Sequence, residues 1–479
     1  MVEPVSGEAG PGDGLPGDLF GGRRVFFQAF FGGYALGLDR VCPIEAVACM
    51  DDGADFDLPG GIGRHQVCSV EAGSGRRRNW IGVPIGAIAD ARVAAMAAVL
   101  SRDPASWLVT SQPTCDRLQA LCRELGCRYV GTDARVAAGL AHKARLFECL
   151  EALQLPRVPG RWLGRARPAW SEVSAEWGRD LVIQRPEGYA GIGTARARDA
   201  HGWAAALARL GDGELWVAPH LGALSLNINA AVVGGVAVAG FPSVQVTGLA
   251  ELGAGWGGYG GNDFSAATAL DRELVEDVQE QTARVAGWMG ALGFEGLCGL
   301  DFVVDPASGR AVAVDLNPRW QGSTALATQA ELADGRLPLA AAGLAAQAGL
   351  LDASELGARA DVFRAPLRGS QLNLRAVLAA PTATVRGARP GARPSGSRSG
   401  DVAVRPASCL DELRDDEHLL TGGVPRPGVI VEPGAWIGRI VSRRAALEPD
   451  GLRLRPWARA ALDDYLTELG LPVAPVAPT

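Results

Sequence analysis

Asp301–Arg319 reads DFVVDPASGRAVAVDLNPR, and this stretch decides the fold. Asp301 sits in an apolar run, LCGLDFVV, followed by a Pro-Ala-Ser-Gly turn. A second run, AVAVDL, places Asp315 and Asn317 two residues apart. Side chains on a strand alternate faces, so Val312, Val314 and Leu316 point one way and Asp315 and Asn317 the other. If the two runs pair, both carboxylates and an amide oxygen converge on one surface. Such hard oxygen donors suit Mg²⁺ held jointly with phosphates. Arg319 adds a forked cation beside them, suited to a phosphate or a carboxylate.

This hairpin resembles the metal-binding end of the ATP-grasp superfamily. The family pattern is an acid on one strand, then Glu-x-Asn-Pro-Arg or a variant on the next. Asp315 stands here in place of the commoner Glu, which shortens the ligand arm by one methylene. The competing reading is a solvated hairpin with ordinary edge acids. The embedding of Asp315 and Asn317 between apolar residues and an Asn-Pro-Arg turn argues against it.

Composition bounds the rest. A chain of 479 residues, 48% hydrophobic, holds two to four domains with ample core. A net charge of -7 argues against nucleic acid as the main partner. No clean apolar run is long enough to cross a bilayer, and the acidic, Gly/Pro-rich N-terminus lacks the pattern of a signal peptide. A cytoplasmic enzyme without a membrane partner is expected. The nine cysteines form no Cys-x-x-Cys pair and read as reduced, mostly buried thiols. Of 46 Lys and Arg residues only Lys143 is a lysine, which singles out a position needing a compact point charge.

Along the chain, residues 1–18 read as disordered. WLVTSQPT, CDRLQALCRELG and CRYVGT give strand, helix, strand, the mark of a small α/β domain over 19–131. Residues 132–155 read as a helix capped by Asp133, with Lys143 near the start of its apolar stripe, broken at LQLPRVPG. LVIQ then begins a strand, and a glycine loop with Gly188, Gly191 and Gly193 follows. Successive N–H groups in such a loop can cradle phosphate. SLNINAAVV carries Ser225, Asn227 and Asn229 on one face, turned either to a cleft or to solvent. YGGNDF, Tyr259–Phe264, reads as a polar loop able to contact an acceptor substrate. Residues 271–289 read as a helix, Glu295 as a surface turn, and GARPGARPSGSRSG, 387–400, as a loose basic loop.

The resemblance covers about 130–330 firmly and implies the following. The fold class is α/β with an α+β lid: an ATP-grasp fold preceded by a small α/β domain and followed by a small β-rich domain. The divisions are 19–131 for the first domain, 132–205 for helix and lid, 206–345 for the core with its metal hairpin, and 346–479 for the C-terminal domain. Asp301, Asp315 and Asn317 would bind Mg²⁺, with Mn²⁺ as a substitute, and Arg319 and Asn317 would serve catalysis. Lys143, Gln184, Gly188, Gly191, Gly193, Ala218 and His220 would bind ATP. Gln184 occupies the place of a second family Lys and contributes no charge. Ala218, in WVAP, lies on the strand leading to the adenine hinge, and His220 stands where many members carry a ribose-binding acid.

The implied activity is carboxylate–amine ligation through an acylphosphate, releasing ADP and phosphate. Its partners would be a small carboxylate and an amine, amino acids or a short peptide among them. A homodimer is compatible with this. A biotin-carboxylase-like subunit is the alternative, although no Met-Lys-Met biotin segment is present. A non-catalytic nucleotide-binding protein is a further one, and an alcohol kinase would need a base that the sequence does not reveal.

Overall fold

The computed structural model describes residues 19–58, 67–188, 191–222, 224–395 and 403–472. The segment 1–18 and residues 396–402, on which two expectations of disorder fall, lie outside them.

The chain begins with a five-stranded parallel sheet, ordered Val67–Ser69, Ile44–Cys49, Arg24–Ala29, Trp107–Gln112, Arg128–Tyr129. Sheets of this kind are covered on both faces, so their strands read as continuous apolar runs. RVFFQA shows the consequence. Phe26 packs with Ile88, Met96 and Leu118 of the helices Gly86–Leu100 and Asp116–Leu125. Phe27 points the other way, its ring 5.5 Å from that of Trp320, directly after Arg319. The first sheet is thereby seated on the loop that follows the hairpin of Asp301 and Asp315.

A second, four-stranded antiparallel sheet runs Arg161–Leu163, Leu215–Pro219, Leu181–Gln184, Thr194–Ala197. Leu181 and Ile183 bury against Val173 and Trp203 of the helices Trp170–Trp177 and Ala200–Leu210. Alternation turns Val182 and Gln184 to the other face, where they are only half-buried.

The third sheet is the largest. Nine strands lie side by side: Ala311–Asn317, Gly296–Val304, Ser225–Val233, Ser243–Thr247, Tyr259–Asp263, Ser370–Arg375, Trp436–Ser442, Glu417–Thr421 and Gly391–Pro394, with Val236–Ala239 branching from the third. All its pairings are antiparallel. One apolar cluster joins this sheet to the helices Arg272–Ala291, Lys143–Ala152 and Pro456–Leu469. The C-terminal β runs thus extend the same sheet as the acidic hairpin. Ile430–Val431 also pairs in parallel with Arg76–Arg77, tying the end of the chain to its first domain.

Three sequence expectations need correction. The single helix over 132–155 is two, Ala134–Ala141 and Lys143–Ala152. His142 adopts an extended conformation between them, φ −72 and ψ 126, and its Nδ1 accepts from Ala144 N at 3.2 Å. A polar cap can halt a helix where apolar periodicity continues unbroken. Tyr259–Asp263 is a strand and not a loop, because φ +135 at Gly261 lets it lie against Gln371, where a Cβ would meet the Gln371 carbonyl. Gly391–Pro394, expected within a loose loop, pairs with Glu417–Thr421 as an edge strand, a position that tolerates Pro394.

Among the described residues no helix is long and apolar enough to cross a membrane. All nine cysteines are free, and only Cys68 is not buried.

Candidate active site

Strand pairing brings Asp301 opposite Asp315, with Asn227 opposite Asp301 on the other side. A register shift between Asp301 and Phe302 bends the hairpin at this point. Asp301 is held closely. Its Oδ1 accepts from Asn227 Nδ2 at 2.6 Å and Gln245 Nε2 at 3.4 Å, and its Oδ2 from Asn317 Nδ2 at 3.2 Å. Burial, and after it the Asp315 charge, pushes the Asp301 carboxyl up to about 6, against the lowering pull of Asn227, Arg319 and Asn317. Arg319 Nη2 donates to Asn317 Oδ1 at 2.7 Å and Nη1 to Trp320 O at 3.1 Å, fixing the guanidinium at the hairpin's end.

Lys143 reaches this cluster from the helix it begins. Its Nζ lies 2.6 Å from Asp315 Oδ1, and the residue is 7% exposed. Its own N–H donates to Pro186 O at 2.9 Å, which joins the helix start to the Gln184-Arg185-Pro186 segment of the second sheet. The chain's one lysine therefore sits on one of the paired carboxylates. Five residues singled out from sequence, Lys143, Asp301, Asp315, Asn317 and Arg319, meet at one place.

The polar face of SLNINAAVV is turned into the molecule. Ser323 Oγ donates to Asn227 Oδ1 at 2.5 Å and accepts from Asn229 Nδ2 at 3.0 Å. Thr324 Oγ1 donates to Asn229 Oδ1 at 2.7 Å. Ser243 Oγ accepts from Asn262 Nδ2 at 3.0 Å, and Asn262 Oδ1 accepts from Tyr259 at 2.5 Å. These bonds continue sideways across the sheet from the two acids. A buried network satisfied in this way rigidifies its members. Ser323 and Thr324 carry no sequence signal of their own, since their partners lie nearly a hundred residues away.

Ala218 is buried in an apolar cluster with Val158, Trp216 and Val312, and Val314 packs beside it. Phe147 stacks on Trp216 at 4.0 Å between centroids, and Trp162 meets Trp216 edge-on at 5.4 Å. These apolar groups pack against Val312 and Val314 on the outer side of the acidic hairpin. Trp216 is two residues from Ala218, so strand alternation could have paired them from sequence.

Gly191 and Gly193 have φ +84 and +83, and a Cβ on Gly191 would stand 2.5 Å from Gly257 O. Only glycine allows this conformation together with this approach. Gln184 Nε2 bonds Thr194 Oγ1 at 3.3 Å, whereas Arg185 turns away and donates to Leu210 O at 2.8 Å. Gly188 lies beside Ile192 within the same loop. His220 is not with the acids. Its Nδ1 lies 3.2 Å from Arg196 Nη2, and Arg196 Nε holds Asp180 at 2.6 Å. Burial, then Arg196, lowers the His220 pKa. The Asp180–Arg196 pair was not foreseen.

Among the described residues no group of three or more His, Cys, Asp or Glu side chains gathers in a metal-binding cluster. The hairpin offers two carboxylates and an amide instead. That set fits a divalent ion shared with phosphates, which commonly uses one or two carboxylates, better than an all-protein cage. The repulsion that raises Asp301 is what a bound cation would relieve.

No family model matches the sequence, and no match is found among curated proteins. Solved structures do match. Rhizobium etli pyruvate carboxylase superposes with a TM-score of 0.55 at 15% identity, covering 93% of this chain and 37% of that one. The chain thus spans little more than a third of that enzyme. Carboxyaminoimidazole ribonucleotide synthase from Aspergillus clavatus, complexed with ATP, gives 0.52 at 16%, covering 94% and 97%. The biotin carboxylase domain of Hydrogenobacter thermophilus 2-oxoglutarate carboxylase, in complex with MgADP, ADP and bicarbonate, gives 0.52 at 14%, covering 88% and 85%. With a leading parallel sheet, a small antiparallel lid sheet and a large antiparallel sheet bearing the acidic hairpin, the chain has the ATP-grasp fold.

Proposed function

We propose that this protein is an ATP-dependent enzyme that activates an acid as its acyl phosphate and passes the acyl group to an amine. The convergence of Lys143, Asp301, Asp315, Asn317 and Arg319 carries this reading. An oxygen of the acid attacks the γ-phosphorus of ATP, and ADP leaves with the bridging oxygen. The amine nitrogen then attacks the acyl carbon, phosphate leaves, and the nitrogen loses a proton to solvent. Neither step needs covalent help from a side chain; alignment and charge neutralisation suffice.

The residues divide this work. Asp301, Asp315 and Asn317 would hold the divalent ion. Mg²⁺, when bound there, neutralises the charge of the transferring phosphoryl group. Arg319, fixed by Asn317, faces the oxygens of the acid or its phosphate. Lys143 supplies positive charge to the nucleotide phosphates, a role enlarged because Gln184 is neutral. The apolar cluster of Ala218 and Trp216 receives the base, and the Gly188–Gly193 loop covers the phosphates and excludes water, which would hydrolyse the intermediate.

Bicarbonate is the first candidate for the acid, since the three structural neighbours are two carboxylases and a carboxyaminoimidazole ribonucleotide synthase. Amide formation from an organic carboxylate is the second reading. Lys143 is buried and ion-paired, so the chain offers no lysine for an attached biotin, which favours a free small-molecule amine as acceptor. The test is MgATP turnover with bicarbonate, or with a panel of carboxylates, against amino acids and short peptides, with mass detection of products. ADP released only when an acid is supplied is the expected result. AMP and pyrophosphate would contradict it.

A further inference from the structure

The polar face of the large sheet does not end at the metal hairpin. Five strands along from Asp301, register places Asn373 opposite Arg439 and Arg439 opposite Thr421. Arg439 is 1% exposed, and its guanidinium lies 4.3 Å from the ring centroid of Tyr34 and 5.2 Å from that of Trp436. Nη1 donates to Gly33 O at 2.9 Å. Nε and Nη2 make no hydrogen bond, nor does Thr421 Oγ1, and Asn373 Nδ2 lies near the Tyr259 hydroxyl without bonding geometry. No carboxylate forms an ion pair with Arg439 among the described residues.

Arg375 stands on the same strand as Asn373, two residues on, and opposite Trp436. It is half-buried, which lowers its pKa, it lies near the Tyr34 and Tyr259 hydroxyls, and it forms no ion pair among the described residues. Tyr259 also packs against Gly322, three residues past Arg319, so this region adjoins the reacting end of the hairpin.

A guanidinium buried as deeply as that of Arg439 without an ion-pair partner is costly, and buried charges are ordinarily paired. Elsewhere the chain follows that rule: Arg77 faces Glu71 at 2.8 Å, and the nearly buried Arg393 faces Glu468. Arg439 departs from it, with no carboxylate bonded to its guanidinium among the described residues.

We infer that Arg375 and Arg439, with Tyr34 and Tyr259, form a subsite for a carboxylate on the acceptor amine, apart from the group that reacts. Arg375 and the Tyr34 hydroxyl bind the anion, while Arg439, behind the Tyr34 ring, is a positioning residue that makes the pocket positive. The acceptor is then an amino-acid-like molecule, with its nitrogen towards Arg319 and its carboxylate towards Tyr34. This assignment rests on the proposed acyl transfer for the word acceptor, but the anion site itself does not.

The experiment is binding, not turnover. Full-length protein is titrated with glycine, glutamate, succinate, inorganic phosphate and chloride at constant ionic strength, by thermal shift and calorimetry. MgATP affinity is measured alongside. Carboxylates should bind wild type. Arg375→Met should weaken them by roughly 10-fold or more, the range for a lost bond to a charged group. Tyr34→Phe should weaken them less, and MgATP affinity should be unchanged in both. Arg439→Met should give the Arg375→Met pattern if it folds, and Arg375→Met and Tyr34→Phe decide the matter if it does not. Carboxylates that fail to bind wild type, or bind Arg375→Met and Tyr34→Phe equally well, would overturn the subsite. Binding of phosphate alone would overturn the carboxylate assignment. Carboxylate binding lost in Arg375→Met, in a protein that does not bind MgATP, would uphold the subsite while removing the proposed function.

Discussion

Replacing Lys143 by Met keeps the length of the side chain and removes its charge, and the structure gives the expected consequence. Nζ and Asp315 Oδ1 are 2.6 Å apart, with Lys143 almost wholly buried and the Asp315 side chain 26% exposed. Breaking a buried ion pair from one side costs about 3–5 kcal/mol, because the remaining charge is stranded. Partial exposure of Asp315 lets water offset some of this, which brings the expectation to roughly 2–3 kcal/mol. The stranded carboxylate also faces Asp301 across the hairpin, with no lysine to balance the pair. Asp315→Asn in the Lys143→Met background removes that charge and should recover about 1–2 kcal/mol, a coupling of the size seen between contacting groups. Urea unfolding followed by tryptophan fluorescence is a suitable assay, since Trp216 stacks on Phe147 of the helix that Lys143 begins. A Lys143→Met protein within about 0.5 kcal/mol of wild type, or additive single and double variants, would refute the reasoning.

Further expectations concern the lid, the metal hairpin and a buried acid. Gly191→Ala places a Cβ against Gly257 O in a backbone conformation disfavoured for alanine, so MgATP turnover should fall while the melting temperature stays close to wild type; unchanged turnover would show that the loop need not dock as seen. Asp315→Asn should lower turnover by roughly 10²-fold with the fold preserved, and near-normal rates at both limiting and saturating Mg²⁺ would remove Asp315 from the ion's site. Glu331, buried near the end of the helix Thr324–Ala333, accepts at 3.1 Å from the N–H of Leu339, which begins the helix Leu339–Gln347, and burial pushes its carboxyl up to about 8. The folded state therefore keeps a proton that the unfolded state releases, so stability is fully present below the ordinary glutamate range and is lost as pH rises through about 8. Glu331→Gln should flatten that decline, worth about 5 kcal/mol at most, and an equally steep decline in the variant would assign it elsewhere.

The acidic hairpin was legible because it is local. Nineteen consecutive residues carry both strands, the turn and the two acids, and strand alternation alone puts Asp315 and Asn317 on one face. The first domain was legible for a like reason, since its strands and helices alternate in short apolar runs. What stayed hidden depends on partners distant in sequence. Whether Asn227 and Asn229 face a cleft or solvent is decided by Ser323 and Thr324. That Tyr259–Asp263 is a strand depends on Gln371 lying close enough to require glycine at 261. The break at His142 turns on one side-chain cap against an uninterrupted apolar stripe. Arg439 left a trace that went unused: a single charge within the apolar strand WIGRIVS, which an ordinary core strand does not carry.

The central claim is that an acid takes the γ-phosphoryl group of ATP before the amine attacks. It is tested most directly by following oxygen. With ¹⁸O-labelled bicarbonate, or a labelled carboxylate that stimulates turnover, each ADP formed should be accompanied by inorganic phosphate carrying one atom of the label, read by mass or by the ³¹P isotope shift. Label that stays wholly in the acid and product, with phosphate oxygen drawn from water or label recovered in AMP, would contradict the account.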